Sequence, residues 1–147
     1  MKIEPYLFFD GQAEEAIAFY QEALGAKLEA LMRYAECPDP VPPEYMPAGG
    51  PQKLMHASLL IDGQRLMLSD GVPPEVRGFY GFSLTLQYES EPEVRRAYDK
   101  LAEGGQIIMP LGATFFSPCY GMLNDRFGVQ WMVMILSEAQ AEACRES

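Results

Sequence analysis

Residues 53–70 of the chain read KLMHASLLIDGQRLMLSD, and this stretch decides the fold. Two apolar runs, 53–61 and 64–69, are joined by Asp62 and Gly63. This dipeptide favours a two-residue turn between antiparallel strands, because both turn positions take positive φ angles. The stretch therefore predicts a β-hairpin.

The elements before the hairpin extend it to a βαβββ unit. Residues 2–9 are extended and aromatic in character and end at a turn signal. Residues 12–24 carry apolar side chains at three- and four-residue spacing, with Gly25 as a stop, which predicts an amphipathic helix. Residues 26–34 alternate as a half-buried strand should. One face of that strand is expected to carry Leu28, Ala30 and Met32.

Two segments rich in Pro and Gly are expected to be loops. Residues 37–51 read CPDPVPPEYMPAGGP, a composition that sustains neither a ladder nor a helix. Residues 70–78 separate the two halves of the chain, and their paired prolines suit a hinge that exchanges segments between protomers.

The second half repeats the order of the first. Residues 79–88 read as a strand, and residues 92–102 carry helical spacing that ends at two glycines. Three further strands are expected at 106–111, 119–124 and 129–136.

The duplicated pattern predicts an α+β fold of two βαβββ repeats. We expect one domain over 1–147, with repeat one at about 1–70, repeat two at about 79–137 and a tail at 138–147. The two mixed sheets would curve into a half-barrel, and their inward faces would line a cleft for ligands.

Composition limits the classes of partner. The chain has 147 residues, a formal net charge of -10 and scattered basic residues, a surface that repels nucleic acid and anionic membrane. A small neutral or cationic ligand, or a second copy of the chain, fits better. No apolar run approaches the roughly 20 residues of a membrane span, so we expect a cytoplasmic protein. Its three cysteines are not spaced like the cysteine pairs that bind a metal or form a redox-active disulfide.

Several phrases of the sequence resemble one known family. The order of elements is similar to that of the vicinal-oxygen-chelate superfamily of glyoxalases, bleomycin-resistance proteins and dioxygenases, and in particular to its PhnB-like branch. The matching phrases cover most of the chain: PYLFFDG at 5–11, AIAFYQEALGA at 16–26, HASLLIDG at 56–63, LMLSD at 66–70 and DRFGVQWM at 125–132.

The resemblance locates the positions at which metal-dependent members hold a divalent ion. They correspond to Pro5, Met67, Gly81 and Met132 here, or to Ser69 in place of Met67 if the register slips by two. Pro and Gly offer no side-chain donor, and a thioether is a soft, weak ligand. We therefore expect no metal. We also expect no nucleotide cofactor, since no Gly-rich strand-to-helix turn is present.

Period-two alternation selects the residues expected in the cleft. If Ala57 and Leu59 face the core, His56 and Ser58 face the opposite way. His56 is the single histidine; it would orient a ligand or act as a general base, or else be a strand residue satisfied by a neighbour. The candidates for the cleft are His56, Ser58, Met67, Ser69, Ser83, Thr85, Phe116, Tyr120, Gln130 and Met132.

These features lead to three hypotheses about function. The first is a protein that binds a small organic molecule in the cleft between the repeats without a catalytic metal. The second is a glyoxalase-like lyase, or another small-molecule enzyme, that uses His56 or a metal at a non-standard site; no other catalytic residue is assigned. The third is an interaction module. The resemblance also implies a homodimer, in which segments are possibly exchanged between protomers.

Overall fold

The computed structural model describes residues 1–71 and 78–135. The chain divides into two compact units, Met1–Arg77 and Gly78–Ser147, and the described residues of each unit form one α-helix and one mixed four-stranded sheet. The α+β class and the two βαβββ repeats are thereby confirmed. That 1–147 form a single domain stays a prediction, and the tail at 138–147 lies outside the described residues, as do 72–77 of the expected hinge.

The first unit has its strands in the order β1-β4-β3-β2. Strand β1 runs parallel to β4, and the other neighbours are antiparallel. The elements are β1 (Tyr6–Phe8), α1 (Ala13–Leu24), β2 (Lys27–Arg33), β3 (Leu54–Ile61) and β4 (Gln64–Ser69).

The turn and the helix end of this unit follow the local signals in the sequence. Asp62 and Gly63 join β3 to β4 with φ angles of 49° and 76°, the signs that a type I′ turn requires. Helix α1 ends at Gly25, which has a φ of 66°. Both predictions are confirmed.

The second unit repeats the topology, with its strands in the order β5-β8-β7-β6. Strand β5 is parallel to β8. Ser90 caps the helix after β5, because its side chain accepts a hydrogen bond from the backbone N–H of Glu93. The elements are β5 (Leu84–Tyr88), α2 (Glu91–Ala102), β6 (Gln106–Gly112), β7 (Tyr120–Asn124) and β8 (Gln130–Ile135).

The fifth strand begins later than its sequence predicts. Residues 79–83 precede the strand, and Gly78 and Gly81 have φ angles of 77° and 79°. These left-handed positions break the extended geometry that a ladder needs. The predicted start at residue 79 was wrong, because an aromatic, β-prone composition hid two turn glycines.

Strict alternation also fails in β2. Leu28 lies opposite Leu59, whereas Ala30 lies opposite Ser58 on the other face, because the register shifts between them. The expectation that Leu28 and Ala30 share a face was wrong. In the loop at 37–51, two short 3-10 turns interrupt the irregular chain, at Pro43–Tyr45 and Gly50–Gln52.

Each sheet buries the face that its helix covers. In the first unit, the apolar faces of α1 and of β1, β3 and β4 supply the core; in the second, α2 packs on β7 and β8. No helix within the described ranges is both long and apolar enough to cross a membrane. The buried apolar side chains include Leu7, Ala16, Ile17, Tyr20, Ala57, Leu59, Leu66, Leu68, Val94, Tyr98, Leu101, Leu123, Trp131 and Val133.

Asp125 ties the turn between β7 and β8 to the core of the second unit. Its Oδ1 accepts the backbone N–H groups of Phe127 and Val129 at 2.9 and 3.1 Å, and its Oδ2 accepts Trp131 Nε1–H at 2.9 Å. The carboxylate is buried, so its loss would leave donors without a partner.

Replacing this carboxylate should destabilise the protein. We expect Asp125→Asn to lower the free energy of unfolding by about 1–3 kcal/mol. The reason is that the amide NH2 group that replaces one carboxylate oxygen would face an N–H donor. Urea unfolding followed by the fluorescence of Trp131, the single tryptophan, measures it. Asp62→Asn, in the exposed hairpin turn, is the matched control and should change stability by less than about 0.5 kcal/mol. If Asp125→Asn and Asp62→Asn were equally stable, the stabilising role given to the Asp125 carboxylate would be wrong.

Candidate functional site

The face of the first sheet opposite α1 carries most of the first-unit residues that the sequence selected. Met67 lies opposite Tyr6 on one side and Ser58 on the other, and Met32 lies opposite His56. Because facing pairs share a side of the sheet, these residues project together. We call this surface the first open face; its residues are Tyr6, Phe8, Met32, His56, Ser58, Arg65, Met67 and Ser69.

His56 is held by an aromatic neighbour on this face. Its Nδ1 lies 3.0 Å from the Tyr6 hydroxyl, and the two ring centroids are 5.6 Å apart. The ring of Phe8 is 4.9 Å from that of Tyr6 and is 46% exposed. The half-buried imidazole therefore has a fixed orientation beside an accessible aromatic surface.

A network of charged groups lies next to this pair. Arg65 binds the Glu29 carboxylate through Nη2 at 2.6 Å and through Nε at 2.7 Å, and it reaches Glu4 at 3.1 Å. The hydroxyl of Ser58 donates to Glu29 at 2.9 Å. The hydrogen bonds from Arg65 and Ser58 lower the pKa of the Glu29 carboxyl to about 2, so that the group stays ionised.

The two serines of the first open face are less available than expected. Ser58 is 4% exposed, and its proton is committed to Glu29. Ser69 is 2% exposed and accepts the backbone N–H of Gly71 at 3.2 Å. Met67 and His56 remain half-exposed. A ligand on this face would meet the imidazole, the thioether and the aromatic rings before either hydroxyl.

The second sheet also has a face opposite its helix α2, which we call the second open face. Thr85 lies opposite Met132, and Met132 lies opposite Met122 of the next strand, which in turn lies opposite Met109. Thr85 and Met132 therefore project to the same side of the sheet. The residues of this face are Thr85, Met109, Tyr120, Met122, Asn124, Gln130, Met132 and Met134.

A cavity of about 340 Å³ lies at one end of the second unit. Ser83 donates a hydrogen bond to Gln130 Oε1 near it, which fixes the amide. Gly81 lines the cavity from the irregular segment before β5. The lining residues are Gly78, Phe79, Tyr80, Gly81, Phe82, Asn124, Gly128 and Gln130.

Phe115, Phe116 and Tyr120 form a cluster of aromatic rings. Successive ring centroids are 5.1 and 5.0 Å apart, and both pairs meet edge to face. Tyr120 is only 6% exposed although it lies on the second open face, whereas Phe115 is 89% exposed.

The positions that correspond to a divalent-metal site do not carry ligands for one. Pro5 offers a backbone carbonyl that already accepts the N–H of Met67 at 3.1 Å. Gly81 sits in a left-handed turn, and Met67 and Met132 offer thioethers, which hard cations bind poorly. Within 1–71 and 78–135, no group of three or more His, Cys, Asp or Glu side chains has the arrangement of a metal site. The groups at these four positions therefore do not suit a divalent metal ion.

Other reactive side chains are occupied by structural roles. Asp70 accepts the backbone N–H groups of Ala13 and Leu54, each at 2.9 Å, and so joins the start of α1 to the start of β3. Burial raises the pKa of the Cys119 thiol, which disfavours the thiolate that a nucleophile needs. These groups are poor candidates for catalysis.

Sequence reasoning missed Tyr6, Phe8, Glu29 and Arg65. For Tyr6 and Phe8 a signal existed, because they alternate with the buried Leu7 and Phe9. For Glu29 and Arg65 no local signal existed, since they are 36 residues apart and meet only through the pairing of β2, β3 and β4.

The Glu29 network should make stability depend on pH. Since the pKa of Glu29 is lowered from 4.5 to about 2 in the folded state, its contribution is present above pH 4.5 and is lost as pH falls toward 2. We expect Glu29→Gln to be less stable than the parent at pH 7 and the difference to narrow below pH 4.5, measured by urea unfolding. Glu15→Gln, exposed on α1, is the control. If Glu29→Gln were less stable than the parent by the same amount at pH 7 and below pH 4.5, stability would not depend on the ionisation of Glu29, and the prediction would be wrong.

Comparisons with known proteins agree with this architecture. The family model described as the glyoxalase/bleomycin resistance protein/dioxygenase superfamily matches residues 2–133. Protein YjdN of Escherichia coli is 34% identical, over 94% of this chain and 97% of that protein.

Two solved structures are similar over nearly the whole chain. Protein PA1353 of Pseudomonas aeruginosa has a TM-score of 0.81 at 39% identity and covers 92% of this chain and 98% of its own. A Bacillus cereus PhnB protein, described as a putative 3-demethylubiquinone-9 3-methyltransferase, has a TM-score of 0.75 at 33% identity and covers 92% and 99%. The chain therefore belongs to the glyoxalase/bleomycin resistance/dioxygenase superfamily, in its PhnB-like branch.

Proposed function

We propose that the protein binds a small organic molecule on the first open face without a catalytic metal. The observation that carries this is the pairing of Tyr6 with His56, because it fixes a polar group beside the exposed ring of Phe8. Small-molecule sites combine apolar and aromatic surface with a few polar groups in fixed positions. The groove expected between the two repeats stays a prediction, as does cytoplasmic localisation.

The charges on the first open face favour a neutral or cationic ligand. Arg65 is already bound by two carboxylates, Glu4 and Glu29, and Lys2 also acts on Glu29. An anionic ligand would have to compete with these carboxylates for the two cations. This agrees with the net charge of -10 of the whole chain.

A glyoxalase-like lyase, or another enzyme that works on a small molecule, is the second candidate. One observation favours it, the oriented and half-exposed imidazole of His56, which is the arrangement a general base needs. Ser58 and Ser83 do not add a nucleophile, since each donates its proton to another side chain. We therefore favour the binding of a small molecule over catalysis as the function.

We also propose that the protein forms a homodimer through the edge of its second sheet. Strand β6 is an edge strand whose Ile107, Ile108 and Met109 are 53%, 45% and 46% exposed. Among the described residues β6 pairs with β7 alone, so its outer edge and its apolar side chains suit pairing with another strand. No charged residue occurs from 106 to 124, so a second copy can approach here without the repulsion of an acidic surface. The role of the hinge in exchanging segments stays a prediction.

The binding proposal is tested by thermal unfolding with metals and with aromatic fragments. We expect no stabilisation by nickel, zinc, manganese or iron, and saturable stabilisation by fragments in the presence of EDTA. Phe8→Ala and His56→Ala should each weaken fragment binding by roughly tenfold, whereas Tyr45→Ala, 70% exposed in the 37–51 loop, should not. Tight one-to-one binding of a metal would instead favour the enzyme.

The dimer proposal is tested by light scattering coupled to size-exclusion chromatography. We expect a dimer for the unaltered protein and a monomer for Ile108→Lys, because the new charge would be buried at the contact. Tyr80→Lys, at an 83% exposed position of the same unit, should remain a dimer. A dimer that survives Ile108→Lys would place the contact elsewhere.

A further inference from the structure

The bond between Tyr6 and His56 crosses the sheet between strands that are not neighbours. Strand β4 lies between β1 and β3, and Tyr6 and Ser58 both lie opposite its Met67. The 3.0 Å contact from the Tyr6 hydroxyl therefore reaches diagonally over β4 to Nδ1 of His56. Long aromatic side chains span such diagonals readily.

This contact limits where the imidazole carries its proton. Within 1–71 and 78–135, His56 is the hydrogen-bond partner found for the Tyr6 hydroxyl, and because a phenol is a stronger donor than acceptor we infer that the phenolic proton points at Nδ1. A nitrogen that accepts a hydrogen bond carries no proton itself. In the neutral ring the proton then sits on the other nitrogen, Nε2, which becomes a donor.

Nε2 is the atom that the first open face offers to a ligand. No bond from Nε2 to another side chain is found in the part of the chain that the structure describes, and the residue is half-exposed. Ser58, two residues along the same strand, has its hydroxyl turned to Glu29 and does not compete for the same ligand atom. The imidazole thus presents one donor in a fixed direction.

The surroundings define the atom that can meet this donor. In the nearby network Glu4 and Glu29 face two cations, Arg65 and Lys2, so no cation is left without a carboxylate to attract a ligand carboxylate or phosphate. The rings of Tyr6 and Phe8, 4.9 Å apart, favour a flat apolar body beside the acceptor.

We propose that His56, set as the Nε2–H tautomer by Tyr6, makes the first open face selective for uncharged aromatic molecules that carry a carbonyl or amide oxygen. The inference rests on the proposed function, since it names the ligand class of the same face. Tyr6 acts as a positioning residue, because it acts on the ligand through His56.

The tautomer is tested first and needs no ligand. Two-bond proton–nitrogen correlation spectra at pH 8.5, where an imidazole is neutral, distinguish the tautomers, and the single histidine gives one signal set. We expect the Nε2–H form in the unaltered protein, a mixture in Tyr6→Phe, and no change in the control Tyr45→Phe. A dominant Nδ1–H form, or an unchanged spectrum in Tyr6→Phe, would overturn the inference.

Selectivity is tested with two probes of nearly equal shape, 4-(hydroxymethyl)acetophenone and 4-ethylbenzyl alcohol, at pH 7. We expect the ketone to bind roughly fivefold more tightly, with a shift at His56, because one hydrogen bond separates the probes. In Tyr6→Phe this preference should shrink. Equal affinity would overturn the selectivity and leave small-molecule binding standing, whereas no binding of either probe at millimolar concentration would count against both.

Discussion

One constraint governs both units: within the part of the chain that the structure describes, each four-stranded sheet is covered by one α-helix. The helix buries one face, and alternation along the strands directs every second side chain to the other face. In the first unit Ala57, Leu59 and Leu68 serve the core, and their neighbours His56, Ser58 and Met67 serve the open side. The division between structural and functional residues follows directly from this geometry.

The acidic character of the chain is used in two distinct ways. Asp70 and Asp125 are buried, and their oxygens hold backbone N–H groups and the indole of Trp131 in place. Glu4 and Glu29 lie on the surface of the first sheet and hold Arg65. Because the carboxylates near the site are committed to these partners, the first open face offers a ligand an oriented imidazole and aromatic rings.

The departure from metal-dependent superfamily members lies in donor chemistry. Where a hard cation would need oxygen or nitrogen ligands, the chain places proline, glycine and two thioethers. The fold is shared with those relatives, but a fold does not carry an activity; the activity depends on the side chains on its open faces. We propose that here those side chains recognise a ligand by hydrogen bonding and stacking.

The sequence by itself determined the elements and most of their faces. The Asp62-Gly63 turn, the stop at Gly25 and the alternation around His56 are local signals, and each acts over only a few residues. Local signals failed where a register shift moved Leu28 and Ala30 to opposite faces, and where Gly81 delayed β5.

The tertiary structure alone decided which side chains meet. Tyr6 reaches His56 across fifty positions, and Arg65 binds Glu29 of β2 and Glu4 of the segment before β1. Such contacts depend on strand order, in which β4 lies between β1 and β3, and no spacing along the chain encodes that order. The sequence therefore supplied the candidate residues, and the pairing of the strands determined which of them act together.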